Sequence, residues 1–152
     1  MDTRTLALDA IADVRDCAMQ MRANAAGLQK ELPKVRMDEN LRAATRGLCE
    51  RLSEVSSTVT SGVGELRDAM LSAELDAAGV LRDLSSMEEQ MMDVLAGFAE
   101  LAEKLEQAGE RDERCERAFV LVIETAGHLL QRFQSAKAAT DVLRAAIAGP
   151  LQ

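Results

Sequence analysis

The chain of 152 residues is long enough for one domain, and 47% of its residues are hydrophobic, which is enough to form a core. Only 2% are aromatic, and Trp and Tyr are both absent, which is typical of a narrow helical seam. The formal net charge is −8 and no basic stripe occurs, so we exclude nucleic acid as an expected partner. We expect one domain over residues 1–152.

The sequence also gives an expectation for the cellular compartment of the protein. Its first residues lack an apolar stretch, so we expect no secretory signal peptide. The longest apolar run, 119–123, is far too short to span a bilayer. The three cysteines are widely spaced and odd in number: Cys17, Cys49 and Cys115. Such spacing does not predict a disulfide framework, so we expect a reducing, cytoplasmic location.

The first helix is predicted over residues 3–32. Its apolar residues recur alternately three and four positions apart, which places them in one stripe that must be buried. The stripe consists of Ala7, Ile11, Val14, Ala18, Met21, Ala25, Leu28 and Leu32. Pro33 should end the helix, because the residue before a proline avoids the α conformation.

Two helices are predicted in the middle of the chain, over 38–56 and 64–107, with Asp38 as an N-cap. Residues 55–64 combine Ser, Thr, Gly and Val and form the poorest helix-forming stretch of the chain. A turn here gives four helices, whereas a weak zone inside one helix of roughly 105 Å gives three. We favour a turn near 56–64, because neighbouring helices could cover so long a helix only end to end.

The last helix is predicted over 113–148, and Gly149 and Pro150 should stop it. Its stripe consists of Cys115, Phe119, Val122, Ala126, Leu129, Phe133, Ala136, Thr140, Leu143 and Ile147. The predicted fold is therefore all-α: an antiparallel, coiled-coil-like bundle of three to four long heptad-patterned helices.

Several apolar residues lie beside the stripes, which indicates helices buried on more than one side. A bundle of four helices meets that need either within one chain or by dimerisation, and we expect a homo-oligomer. The candidate interaction surface consists of Leu71, Leu75, Leu81, Met92, Val120 and Leu121. Met92 is expected to be exposed, because its neighbour Met91 occupies the stripe.

The residue types argue against catalysis. The chain has one histidine, no Gly-rich phosphate loop and no Cys-x-x-Cys motif, so we predict no enzyme, no cofactor and no metal site. His128 falls on the side of the last helix opposite its stripe. A solvent-facing histidine on a four-helix bundle resembles the histidine phosphotransfer domains, where a lysine three residues later precedes a small residue. Here Gln131 and Arg132 occupy those positions, so a surface histidine beside Glu124 is favoured over a phosphoacceptor.

The preferred function is a non-enzymatic interaction or scaffold protein that acts by coiled-coil pairing with itself or with a helix of another protein. One alternative is a subunit or chaperone of a larger bacterial assembly, such as a secretion, chemosensory or phage apparatus. A second alternative is a phosphotransfer bundle that uses His128.

Overall fold

The computed structural model describes residues 2–72 and 76–148 and consists of four long helices. They are α1 (Thr3–Glu31), α2 (Glu39–Leu71), α3 (Ala77–Arg111) and α4 (Glu116–Ala148). Short 3-10 turns at Leu32–Lys34 and Glu113–Cys115 precede α2 and α4. The helices pack in a closed ring, in which α1 contacts α2 and α4, and α3 contacts the same two helices. The predicted all-α bundle is confirmed, with four helices.

Most residues of the predicted stripes form the core; the exceptions at the start of the last stripe are Cys115, Phe119 and Ala126, which are half-buried. All eight stripe residues of the first helix are buried, from Ala7 to Leu32. On α3 the same three-and-four spacing is buried at Val80, Leu84, Met87, Met91, Val94, Phe98, Leu101 and Leu105, and the α4 stripe is buried from Leu129 to Ile147. Each fully buried Leu or Phe contributes roughly 1.5–3 kcal/mol relative to an exposed one, so these stripes supply the main driving force for folding.

Neighbouring helices run antiparallel, as two contacts between distant parts of the chain demonstrate. Arg4 at the start of α1 donates a hydrogen bond to the carbonyl oxygen of Met70 at the end of α2 (3.2 Å). Near the start of α3, Glu88 accepts hydrogen bonds from Thr140 (2.5 Å) and Arg144 (2.7 Å) near the end of α4. One end of the bundle therefore holds the start of α1 and the end of α2. The other end holds the end of α1 and the start of α2.

The predicted end of the first helix at Pro33 is confirmed, since α1 gives way to a 3-10 turn there. The guanidinium of Arg42, on α2, donates hydrogen bonds to the carbonyl oxygens of Leu32 and Val35. The Leu32 carbonyl also accepts a hydrogen bond from the backbone N–H of Val35 (3.4 Å), so Arg42 is a second partner for Leu32 and ties the connection after α1 to α2.

The predicted turn at residues 56–64 is wrong, because α2 continues through this segment without a break. Val59 and Val63 are fully buried and extend the stripe, so packing in the bundle outweighs the poor helix propensity of the segment. The hydroxyl of Thr60 donates to a backbone carbonyl one turn earlier (2.8 Å), so it is satisfied inside the helix.

The chain instead turns between α2 and α3, so the predicted helices 38–56 and 64–107 have the wrong common boundary. Ser72 ends α2 with an extended backbone, and the Asp76 side chain accepts a hydrogen bond from the backbone N–H of Gly79 (3.1 Å) to cap α3. In the sequence, the three-and-four apolar spacing continues across this connection, so the spacing alone did not indicate that a helix ends here. Ala73, part of that spacing, lies outside the described residues.

The α2–α3 seam is closely packed at two glycines. A Cβ atom on Gly62 would lie 2.5 Å from Cε of Met87, and one on Gly97 would lie 2.7 Å from Cδ2 of Leu48. Both distances are far below van der Waals contact. The small residues that weaken the helix in isolation therefore allow α2 and α3 to approach each other.

Candidate functional site

The predicted interaction residues do not form one surface. Leu71 is exposed at the end of α2, while Leu81 is half-buried near the start of α3 and packs against the core. Val120 and Leu121 lie near the start of α4, at the opposite end of the bundle; Val120 is exposed and Leu121 packs against the core. Leu75 lies outside the described residues.

The main apolar groove of the bundle is lined by none of the predicted interaction residues that the structure describes, including Met92. The Met92 side chain is 55% exposed on α3. One turn later comes Leu95, which lines this open groove between α3 and α4 with a volume of about 470 Å³. The apolar residues of this groove are Leu95, Ala99, Ala102, Phe119, Ile123, Ala126 and Leu130, and Gly127 completes its wall.

The α3–α4 groove, as we call this site, presents large apolar side chains to solvent. Ile123 is 43% exposed and Leu130 is 48% exposed. Leu95 and Phe119 are half-buried and pack against the core, so they anchor the groove. The other large exposed apolar residues lie outside it: Leu6, Met19, Leu71, Met92, Val120 and Val142. A contiguous exposed apolar surface, unlike a single exposed leucine, is typical of an interaction site.

The sequence forms this groove because a second apolar row follows the stripe by one residue. On α3, Leu95 follows the buried Val94; on α4, Leu130 follows the buried Leu129. A shift of one residue rotates a side chain by about 100° around a helix, so the second row lies beside the core stripe. Ile123 likewise follows the buried Val122 on α4.

The length of the α3–α4 groove matches a short helix. Its lining residues run from Leu95 to Glu106 on α3 and from Phe119 to Leu130 on α4. Each stretch rises by roughly 16 Å along its helix, which corresponds to about three turns. Two antiparallel helices with an apolar trough of this length between them can hold the apolar face of a third.

The groove is acidic at its rim. Glu103 and Glu106 line it from α3, and both are exposed. Neither takes part in an ion pair with the described residues. The groove thus combines an apolar floor with two carboxylates that form no ion pair within the described part of the chain.

A second, smaller hollow of about 350 Å³ lies at the end of the bundle where α1 ends and α4 starts. It holds the predicted residues Val120 and Leu121 together with Val35. Glu31, Glu113, Glu116, Glu124 and Arg117 surround these residues. Because charged side chains dominate its lining, this hollow offers less apolar contact than the α3–α4 groove.

His128 is exposed on α4. Gln131, also exposed, follows three residues later, and Arg132 is half-buried one turn beyond the histidine. The structure therefore places His128 where the sequence predicts it, on the outer side of the bundle. Its neighbours on α4 are the glutamine and the arginine that depart from the phosphotransfer pattern.

The cysteines differ in burial. Cys49 is fully buried and Cys17 is buried, although Cys17 is not part of the predicted stripe of the first helix. Burial raises the pKa of Cys49 to about 12, with a smaller contribution from Glu50, and burial also raises the pKa of Cys17. Cys115, predicted in the core, is only half-buried in the turn before α4.

The described part of the chain contains no group of three or more His, Cys, Asp or Glu side chains arranged to hold a metal ion. Within the same residues, no helix combines the length and apolar character needed to cross a membrane. Comparisons with protein families, characterised proteins and solved structures find no match to this chain.

Proposed function

We propose that the protein is a non-enzymatic interaction protein that binds a helix along the α3–α4 groove. The observation that supports this proposal is the open apolar trough in which Ile123 and Leu130 remain more than 40% exposed. Covering such side chains removes apolar surface from water, at about 25 cal/mol per Å². An amphipathic helix laid between two helices is the pairing that a coiled-coil-like bundle favours.

The occupant supplies one apolar stripe of about three turns. Phe119 and Leu95 are held against the core, so they form a rigid floor, and a bound helix loses little free energy in ordering them. The resulting complex resembles an added helix on one face of the bundle. Such a surface suits a scaffold, and it equally suits a subunit of a larger assembly.

The experiment uses a synthetic 14-residue peptide with leucines at alternating three- and four-residue spacing and glutamine elsewhere. A peptide this short forms little helix on its own, so an induced helical signal reports docking. We expect binding that Leu130→Asn weakens about tenfold, since hot-spot residues of an interface dominate its affinity. Val142→Asn is the matched control, because Val142 is 46% exposed on the same helix but lies outside the groove.

A second pair of variants adds a side chain instead of removing one: the first variant fills the α3–α4 groove, and the second is its control. A Cβ atom on Gly127 or on Gly47 would meet no atom within 4 Å, so both positions accept a side chain. Gly127 lines the groove, whereas Gly47 lies on α2. We expect Gly127→Met to block the peptide and Gly47→Met to leave its binding unchanged. Equal effects of both variants, or a peptide that never binds, would refute the proposed function.

A further inference from the structure

Among residues 2–72 and 76–148, no cation forms an ion pair with the carboxylates at the rim of the α3–α4 groove. Glu103 and Glu106 lie three residues apart on α3, so they lie on the same side of that helix. Lys104, between them in sequence, forms its ion pair with Glu100 at 3.7 Å. The nearest lysine on α3 is therefore engaged with another residue.

The end of the bundle where α3 ends and α4 starts carries further negative charge. Glu110 lies one turn beyond Glu106 on α3, and Glu116 lies one turn before Phe119 on α4. Both are exposed, and neither forms an ion pair with any residue from 2–72 or 76–148. Arg114, in the connection between these helices, bonds to Asp112 at 3.1 Å. Glu103 and Glu106 thus line the groove itself, and Glu110 and Glu116 add negative charge at the same end of the bundle.

A second copy of this chain is a poor occupant of the groove. Each copy has a formal net charge of −8, so two copies repel each other at long range. The exposed α3–α4 face is concave and therefore has no single ridge to insert into its counterpart. An occupant with one apolar ridge and positive flanks complements both the shape and the charge.

On these grounds, and resting on the proposed function, we infer that the α3–α4 groove receives a basic amphipathic helix from another protein. Its apolar stripe covers Ile123 and Leu130. Lys or Arg side chains three or four residues apart on the flank of the stripe meet Glu103 and Glu106, which have the same spacing. The charges set the choice of partner and its rate of association, while the apolar contact supplies most of the affinity.

The test compares three 14-residue peptides with the same leucine stripe and either lysine, glutamine or glutamate at the flanking positions. Two exposed ion pairs amount to about a tenfold gain in affinity, so we expect the lysine peptide to bind about tenfold more tightly than the glutamine peptide. The glutamate peptide should bind most weakly. Raising the salt concentration should reduce the difference between the peptides, because salt screens exposed charges.

The variant Glu103→Gln/Glu106→Gln should remove most of the lysine peptide's advantage. Its matched control is Glu54→Gln/Glu65→Gln, which changes the net charge equally at two exposed positions on α2. If both double variants reduce binding equally, the rim carboxylates have no specific role and the inference is overturned. A dimer that forms at micromolar protein concentrations and dissociates in Leu130→Asn would also overturn it.

The two proposals fail in different ways. If the lysine and glutamine peptides bind equally and Leu130→Asn weakens both, the groove docks helices but the basic partner is refuted. If Leu130→Asn affects neither peptide, docking in the groove is itself refuted.

Discussion

At the scale of single residues, the three thiols should react at very different rates. Cys49 is fully buried and its pKa is raised to about 12 by burial and then by Glu50, so its reactive thiolate is rare at neutral pH. Cys17 is buried too, while Cys115 is half-buried. We expect an aromatic disulfide reagent to label one thiol rapidly in the native protein and two slowly.

The labelling is followed by absorbance at pH 7.5. Cys115→Ser should abolish the fast phase, and denaturant should bring all thiols to a similar rate. A fast phase that persists in Cys115→Ser would mean that Cys17 or Cys49 is far more accessible than the packing of α1 and α2 allows.

Glu88 makes a pH-dependent contribution to stability. Burial raises the pKa of this carboxyl group, but hydrogen bonds from Arg144 and Thr140 outweigh that effect and hold the pKa below its ordinary value. A carboxyl group with a lowered pKa in the folded state stabilises the fold above the unfolded-state pKa of about 4.3. This contribution is lost as the pH falls through the lower, folded-state pKa.

We therefore expect Glu88→Gln to reduce the free energy of unfolding by about 1–2 kcal/mol at pH 7, from the loss of charge-assisted hydrogen bonds. The difference from wild type should shrink as the pH is lowered from 7 towards 3. Urea unfolding at several pH values measures the loss of stability at pH 7 and its change with pH. Glu89→Gln is the control, because Glu89 is exposed and should change stability little. A pH-independent difference would show that the effect of the Glu88 substitution comes from packing alone.

At the scale of the helices, glycine substitutions test the continuity of α2. A Cβ atom on Gly64 would meet no atom within 4 Å, whereas one on Gly62 would meet Met87 at 2.5 Å. Alanine is favoured over glycine inside a helix by about 0.5–1 kcal/mol. Gly64→Ala should therefore stabilise the protein by that amount, and Gly62→Ala should give less, because the Met87 side chain must move.

The two variants are compared by urea unfolding. A turn at 56–64 would put Gly64 at the first position of a helix, where alanine has little advantage over glycine, and Gly64→Ala would then give little stabilisation. Equal gains from both variants would show instead that Met87 rearranges freely.

Most of the core was predictable from the sequence, because a three-and-four spacing places residues on one side of a helix whatever lies around it. At the start of α4 the prediction was wrong by one position, since Ala118 and Thr125 are buried where Phe119 and Ala126 were expected.

The boundary between α2 and α3 was not predictable in this way. Propensity argued for a turn near Gly62, but the cost of Ser, Thr and Gly in a helix is small beside the burial of Val59 and Val63. Conversely, nothing in the spacing marks the break at Asp76, where only the N-cap residue type is a signal.

The α3–α4 groove was not predicted, for a related reason. None of the predicted interaction residues that the structure describes lines it, and Leu95 and Leu130 were missed because each directly follows a buried stripe residue. A row shifted by one residue is recognisable in sequence. Whether that row is covered by a neighbouring helix depends on how α3 and α4 approach each other, and a single-helix pattern contains no information about that.

At the scale of the whole molecule, the position of the turn decides the shape. The longest helix has 35 residues and therefore measures roughly 52 Å, and side chains and connections add to this. We expect small-angle X-ray scattering to give a maximum dimension of about 60 Å for a monomer. A dimer formed side by side would keep that length and increase the radius of gyration of the cross-section. A rod of roughly 100 Å would contradict the turn between α2 and α3, because it requires these two helices to be continuous. In-line light scattering separates the monomer from the dimer, and repeating it with Leu130→Asn shows whether any self-association uses the α3–α4 groove.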